Sequence, residues 1–193
     1  MDENNKIDTS RCAFVAIDLQ KGIAGRQMYP NDSKTVISNA ALLADEFRRR
    51  GAFVVLVNVS HKDGKDALKP IADQQNQWGA MQMPKDWSDL VEELHKSPSD
   101  LLITKRQWGA FYGTELDLQL RRRGIDTIVL CGISTNIGVE TTAREAYQHG
   151  YNIVIAKDAC SAMSNEEHEH SIKYIFQRIS RIRDTKEIIN MLK

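Results

Sequence analysis

The sequence predicts an α/β fold: a six-stranded, mostly parallel sheet covered by helices on both faces. Three observations predict it. The apolar runs are short and nearly unbroken, as strands buried on both faces require. Longer amphipathic stretches alternate with them, as crossover helices do between parallel strands. The 193 residues suffice for one sizeable core, so a single domain over 1–193 is expected.

The first run, Ala13–Leu19 (AFVAIDL), is interrupted only by Asp18. A helix over Ser33–Arg50 leads to the second, Phe53–Val59 (FVVLVNV). The stretch Ser60–Asp86 is polar and punctuated by Gly64, Pro70, Gly79 and Pro84. Its length marks either a lid or binding loop, or a surface excursion that packs on a neighbouring subunit. A helix over Trp87–His95 precedes the run Leu101–Thr104, and a helix over Thr114–Arg123 precedes Thr127–Cys131. There CGISTNIGVETTAREA, beginning at Cys131, turns sharply from strand into a helix over Ile137–His149. Asn152–Ala156 (NIVIA) is the fifth strand. Ser164-Asn-Glu-Glu167 is a capping-box pattern opening a helix over Glu166–Ile179. A strand near Arg181–Arg183 and a helix over Glu187–Leu192 close the chain.

Composition excludes several classes of function. Lys+Arg and Asp+Glu both number 26, so no global field calls for nucleic acid or a membrane surface. The triplets Arg48–Arg50 and Arg121–Arg123 are each followed by Gly and an apolar run. That is how a helix ends: cations at its negative pole, then Gly at positive φ. Three widely spaced cysteines (Cys12, Cys131, Cys160), without CxxC or Cys/His ligand spacing, read as reduced thiols in a cytoplasmic protein. No run is long enough to span a membrane, and MDENNKIDTSR lacks the apolar core of a signal peptide. His168 and His170 stand two apart on their helix and face different ways, which argues against a shared metal.

In open parallel sheets ligands bind beyond the carboxyl ends of the strands. Asp18 lies near the end of the first strand and Lys105 directly after the third. The turn and helix start around Asn136–Val139 follow the fourth, so their N–H donors face the same side. A buried carboxyl group needs a partner or a raised pKa. Asp18 and Lys105 therefore form either a structural ion pair or the core of a site. Trp108, Phe111 and Tyr112 follow Lys105 as an apolar wall or as core.

IDLQ around Asp18, the block from Lys105 through AFYGTELDLQLRRRGIDTIVLCGISTN, and GVETTAREAYQHGYN resemble the isochorismatase-like hydrolases, or cysteine-hydrolase superfamily, over nearly the whole chain. The resemblance implies a Rossmann-like three-layer αβα sandwich, no cofactor, and assembly as a homodimer or homotetramer. It places Asp18 as the acid, Lys105 as the cation beside it, and Gly138 where the amidase branch has its cysteine. It also implies a cis peptide between Ile133 and Ser134. Gln20, Trp108, Phe111, Ser134, Thr135, Asn136 and Ile137 are the expected substrate contacts.

Gly138 is the departure that matters. Without a thiol there, an amide has no nucleophile to attack it. Cys131 lies within an apolar strand, and Cys160 is little better placed. His61 and Asp63 do not reproduce the Asp/His/His metal cluster of nicotinamidases, so no metal is expected. True isochorismatases also carry Gly at this position and hydrolyse a vinyl ether by protonation, with no covalent intermediate. In the turn, however, they have an aromatic residue followed by Ala-His, where this chain has Ser134-Thr135-Asn136. The expectation is acid-assisted hydrolysis of an enolpyruvyl ether or a related small molecule. The alternatives are an amidohydrolase with another nucleophile, and a non-catalytic binding or scaffolding protein.

Overall fold

The computed structural model describes residues 6–74 and 83–193. Among them six strands, β1 (Cys12–Ile17), β2 (Phe53–Val59), β3 (Leu101–Lys105), β4 (Thr127–Ile133), β5 (Asn152–Ser161) and β6 (Arg181–Arg183), form one sheet in the order β3-β2-β1-β4-β5-β6. Every neighbouring pair is parallel. The helices are α1 (Lys21–Ala24), α2 (Ser33–Arg49), α3 (Leu116–Arg122), α4 (Glu140–Gln148), α5 (Asn165–His170), α6 (Gln177–Ile179) and α7 (Thr185–Met191). π-Helical turns at Thr135–Val139 and Ser171–Phe176 lead into α4 and join α5 to α6. Sheet and helices together make the three-layer αβα sandwich.

The strand order has a functional consequence. From β1 the chain winds one way through β2 and β3, then resumes on the other side of β1 with β4. Beyond the carboxyl ends of β1 and β4 the connections part, leaving the crevice where such sheets bind ligands.

The sequence explains the elements. All six residues of β1 are buried, as a central strand with helices on both faces must be. On α2 the buried Val36, Ala40, Leu43, Ala44 and Phe47 fall on one helical stripe. Phe47 meets Phe14 of β1 with ring centroids 5.5 Å apart. The Asp32 side chain accepts from the Thr35 N–H at 2.7 Å and caps the start of α2. Its end follows the expectation, with Gly51 at φ 71. The arginine triplet there pairs within the chain: Arg48 with Asp45 and Asp100, Arg49 and Arg50 with Glu46.

The helix expected over Trp87–His95 does not form; only a 3-10 turn at Glu92–Leu94 is present. The backbone there is committed elsewhere. Carbonyls of Trp87 and Asp89 accept from the Gly22 and Lys21 N–H groups, and the Val91 N–H donates to Leu19 O. Those long-range bonds replace the i→i−4 ladder a helix would need. Strands β4 and β5 run further than their apolar cores, to Ile133 and Ser161. Between Ser60 and Gln74 the chain has neither helix nor strand, and residues 75–82 of the expected loop lie outside the described residues. Among the described residues no helix is long and apolar enough to cross a membrane.

Candidate active site

Asp18 follows the last residue of β1 and takes a left-handed conformation, φ 54, with its N–H bonded to Val57 O at 2.9 Å. Aspartate adopts that region more readily than most residues. Lys105, the last residue of β3, reaches in from two strands away. Its Nζ donates to Asp18 Oδ2 at 2.7 Å, to Trp108 O at 2.8 Å and to Gln107 O at 3.2 Å. An ammonium has three protons, so all of them are engaged. Asp18 is 5% exposed and Lys105 2%. Oδ1 of Asp18 is buried and has no hydrogen-bond partner among the described residues. Burial pushes the Asp18 carboxyl up to about 6, against the pull of Lys105 in the other direction. Desolvation therefore outweighs the ammonium.

The turn after β4 completes the corner. The Ile133–Ser134 peptide is cis. Gly132 has φ 130, and a Cβ there would sit 2.0 Å from the Ile17 carbonyl oxygen, so β4 passes β1 only because this residue has no side chain. At Gly138 a Cβ would stand 3.1 Å from Asp18 Oδ2, 3.6 Å from Lys105 Nζ and 2.9 Å from Ile17 Cγ2. A side chain at 138 would thus emerge directly over the acid–ammonium pair.

Three side chains that were not expected at the site position it. Thr142 Oγ1 donates to Gly138 O at 2.7 Å and accepts from the Ala110 N–H at 3.1 Å. Glu145 accepts from the Phe111 N–H at 3.1 Å. Both hold the segment after Lys105 against α4. His168, weighed in sequence only as a metal ligand, bonds Thr135 Oγ1 through Nδ1 at 2.9 Å beneath the turn. Thr142 lies one helical turn after Gly138, which is the only sequence signal for any of them.

A cavity of about 480 Å³ opens over this corner. Asp18, Lys105, Gly138, Ser134, Ile137 and Trp108 line it, so the structure brings these six sequence-selected residues together. Trp108 stands at its rim, 57% exposed. Four other expected contacts are not at the wall. Gln20 is fully buried and its amide is spent on Val59 N, Val59 O and Trp87 O. Phe111 packs into the core against His149 and Tyr151. Thr135 is turned to His168. Asn136 is absent from the lining, its Oδ1 buried without a partner among the described residues. Cys131 and Cys160 are wholly buried. Burial raises the Cys160 thiol to about 12 and the Cys131 thiol well above the usual range. Among the described residues no cluster of three or more His, Cys, Asp or Glu side chains is arranged to hold a metal ion.

The isochorismatase domain model matches residues 12–187. The isochorismatase family protein YwoC of Bacillus subtilis (strain 168) is 54% identical over 188 residues, covering 97% of each chain. The structure of an isochorismatase family protein from Burkholderia thailandensis superposes with a TM-score of 0.91 at 42% identity, over 94% of this chain and 95% of that one. N-carbamoylsarcosine amidase from Thermoplasma acidophilum superposes with a TM-score of 0.72 at 26% identity, over 91% and 96% of the two chains.

Proposed function

The chain belongs to the isochorismatase family of hydrolases, and from that premise we propose that it hydrolyses an enolpyruvyl ether or a closely related vinyl ether by acid catalysis. The observation that carries this reading is the state of Asp18. One carboxyl oxygen is tied to Lys105, the other has no partner, and the group lines a cavity with its pKa raised to about 6. A carboxyl raised toward neutral pH in this way keeps a protonated fraction from which a general acid can act.

The steps balance without a covalent intermediate. Asp18 gives its proton to the terminal methylene carbon as the C=C electrons move to form that C–H bond, leaving an oxocarbenium ion. Water adds to the cationic carbon and returns a proton to the Asp18 carboxylate. The hemiketal then breaks its C–O bond to the alcohol, its hydroxyl proton passing to the departing oxygen, which yields pyruvate and the free alcohol. Lys105 orients Oδ2 and holds the carboxylate formed in the first step. Gly138 leaves the space over the pair open to substrate.

An amidohydrolase mechanism on a cysteine finds no support in this site. The two thiols nearest the turn are buried and raised, and position 138 has none. The third, Cys12, is buried as well, so treating the folded chain with a thiol-alkylating reagent leaves activity unchanged in our reading. The test is pyruvate release from a panel of enolpyruvyl ethers that includes isochorismate. Release lost in Asp18→Asn supports the proposal; a silent panel with the wild-type chain defeats it. A cytoplasmic location and assembly as a homodimer or homotetramer belong to the same reading, and sedimentation velocity tests the assembly.

A further inference from the structure

Beyond the Asp18–Lys105 pair the cavity wall is basic. Arg26, Lys69 and Arg106 line it, and Asp18 is its one carboxylate among the described residues. Lys105 has no proton to spare for a ligand, because Asp18 and two carbonyls take all three. Arg106, the next residue, presents a planar fork that matches a carboxylate better than the point charge of a lysine.

A carboxylate already sits against that fork. Asp66, from the segment between Ser60 and Gln74, places Oδ2 2.9 Å from Arg106 Nε, and it also accepts from the Lys62 N–H. The two side chains are 41% and 30% exposed, so water competes for the pair and it is weak. Beside them His61 lines the same wall, its Nδ1 buried without a partner among the described residues.

We propose that Arg106 anchors a carboxylate group of the cavity's ligand, and that Asp66 occupies the guanidinium as an internal stand-in which an anionic ligand displaces. The inference rests on reading the cavity as the site of a carboxylate-bearing small molecule. Binding and release of the Asp66 segment are then one equilibrium. The pair taxes affinity by the fraction of time Asp66 holds the fork.

Benzoate and benzamide have the same shape and differ in charge, so together they isolate the carboxylate contribution. Both are titrated calorimetrically into the full chain at fixed ionic strength. The wild type is expected to prefer benzoate. Arg106→Gln lowers benzoate affinity about tenfold, as expected for a charge-assisted contact that is partly exposed, and leaves benzamide unchanged. Asp66→Asn strengthens benzoate roughly threefold or more without touching benzamide, the gain expected when a competing weak pair is removed. In the double variant the Asp66→Asn gain disappears, because there is no fork left to release.

A benzoate preference that survives Arg106→Gln overturns the proposal, as does an equal loss of both probes. An Asp66→Asn variant with unchanged or weaker benzoate binding overturns it too, and decides alone if Arg106→Gln does not fold. Benzoate is not an enolpyruvyl ether. The pattern of binding therefore tests the anchor, and the turnover panel separately tests the reaction.

Discussion

Two ion pairs among the described residues, Asp18–Lys105 buried and Arg48–Asp100 mostly so, are satisfied to different degrees. Arg48 and Asp100 form a closed pair. The guanidinium contacts both Asp100 oxygens, at 3.1 and 2.8 Å, and also reaches Leu94 O and Asp45, while the Ser97 N–H adds a donor to Asp100. Asp18 and Lys105 form an open pair. The ammonium is saturated, yet one carboxyl oxygen has no partner and the group lines a cavity. A closed pair holds segments together. An open one carries the cost of an unmet acceptor, and such costs persist where chemistry uses them.

Four measurements break or sharpen that contrast. The largest effect falls on the open pair: Asp18→Asn lowers turnover by about 10²- to 10⁴-fold, the usual contribution of a general acid. Retained pyruvate release in that variant would place the acid elsewhere. On the closed pair the loss should appear as stability, not rate. Asp100→Ala takes two charge-assisted bonds from a guanidinium that keeps Asp45 and Leu94 O, and costs about 2 kcal/mol in urea unfolding, with turnover per folded molecule kept. If activity fell as steeply as in the first variant, the two pairs would not differ in kind.

The third measurement uses pH. Asp18 has a folded pKa of about 6, above its ordinary value of 3.8. Between those values the folded chain binds more protons than the unfolded one. Its contribution to stability is therefore present below pH 4, falls as pH rises towards 6, and is flat above. Unfolding of the wild type relative to Asp18→Asn across pH 4–8 should trace that decline, and a difference that grows with pH would reverse the assignment. The smallest effect is expected at Gly138→Ala. A methyl 3.1 Å from Asp18 Oδ2 and 2.9 Å from Ile17 Cγ2 crowds the oxygen held by Lys105 and fills part of the space over the pair. Turnover should fall about tenfold, a misplacement effect. Stability should change by no more than about 1 kcal/mol, as helix propensity offsets the crowding. Unchanged turnover would mean that substrate does not pass over residue 138.

How much of this was legible in the sequence follows from the range of the interactions involved. The strands were readable because their residues are buried on both faces, and the acid and the lysine because each ends a strand. β5 outran its apolar core because Cys160 and Ser161 pair with Gly132 and Ile133 of β4 beyond a register shift. The false helix at Trp87–His95 and the misplaced Gln20 share one cause. The Gln20 amide and the Trp87 backbone bond each other and their neighbours across 67 residues of chain, a pairing no local pattern encodes. Phe111 was misread because a core aromatic and a pocket aromatic have the same composition. Arg106 and Asp66 escaped notice because charges in a polar stretch read as ordinary solvated surface.

Gly132 has a consequence for anyone who would redesign this protein. Since only hydrogen fits between that α-carbon and the Ile17 carbonyl, the strand bearing the acid and the strand bearing the turn are locked into one block. Their spacing cannot be tuned by altering either loop. New specificities would have to be sought by changing Trp108, Leu68 and Met163 around the opening, with the corner itself left as inherited.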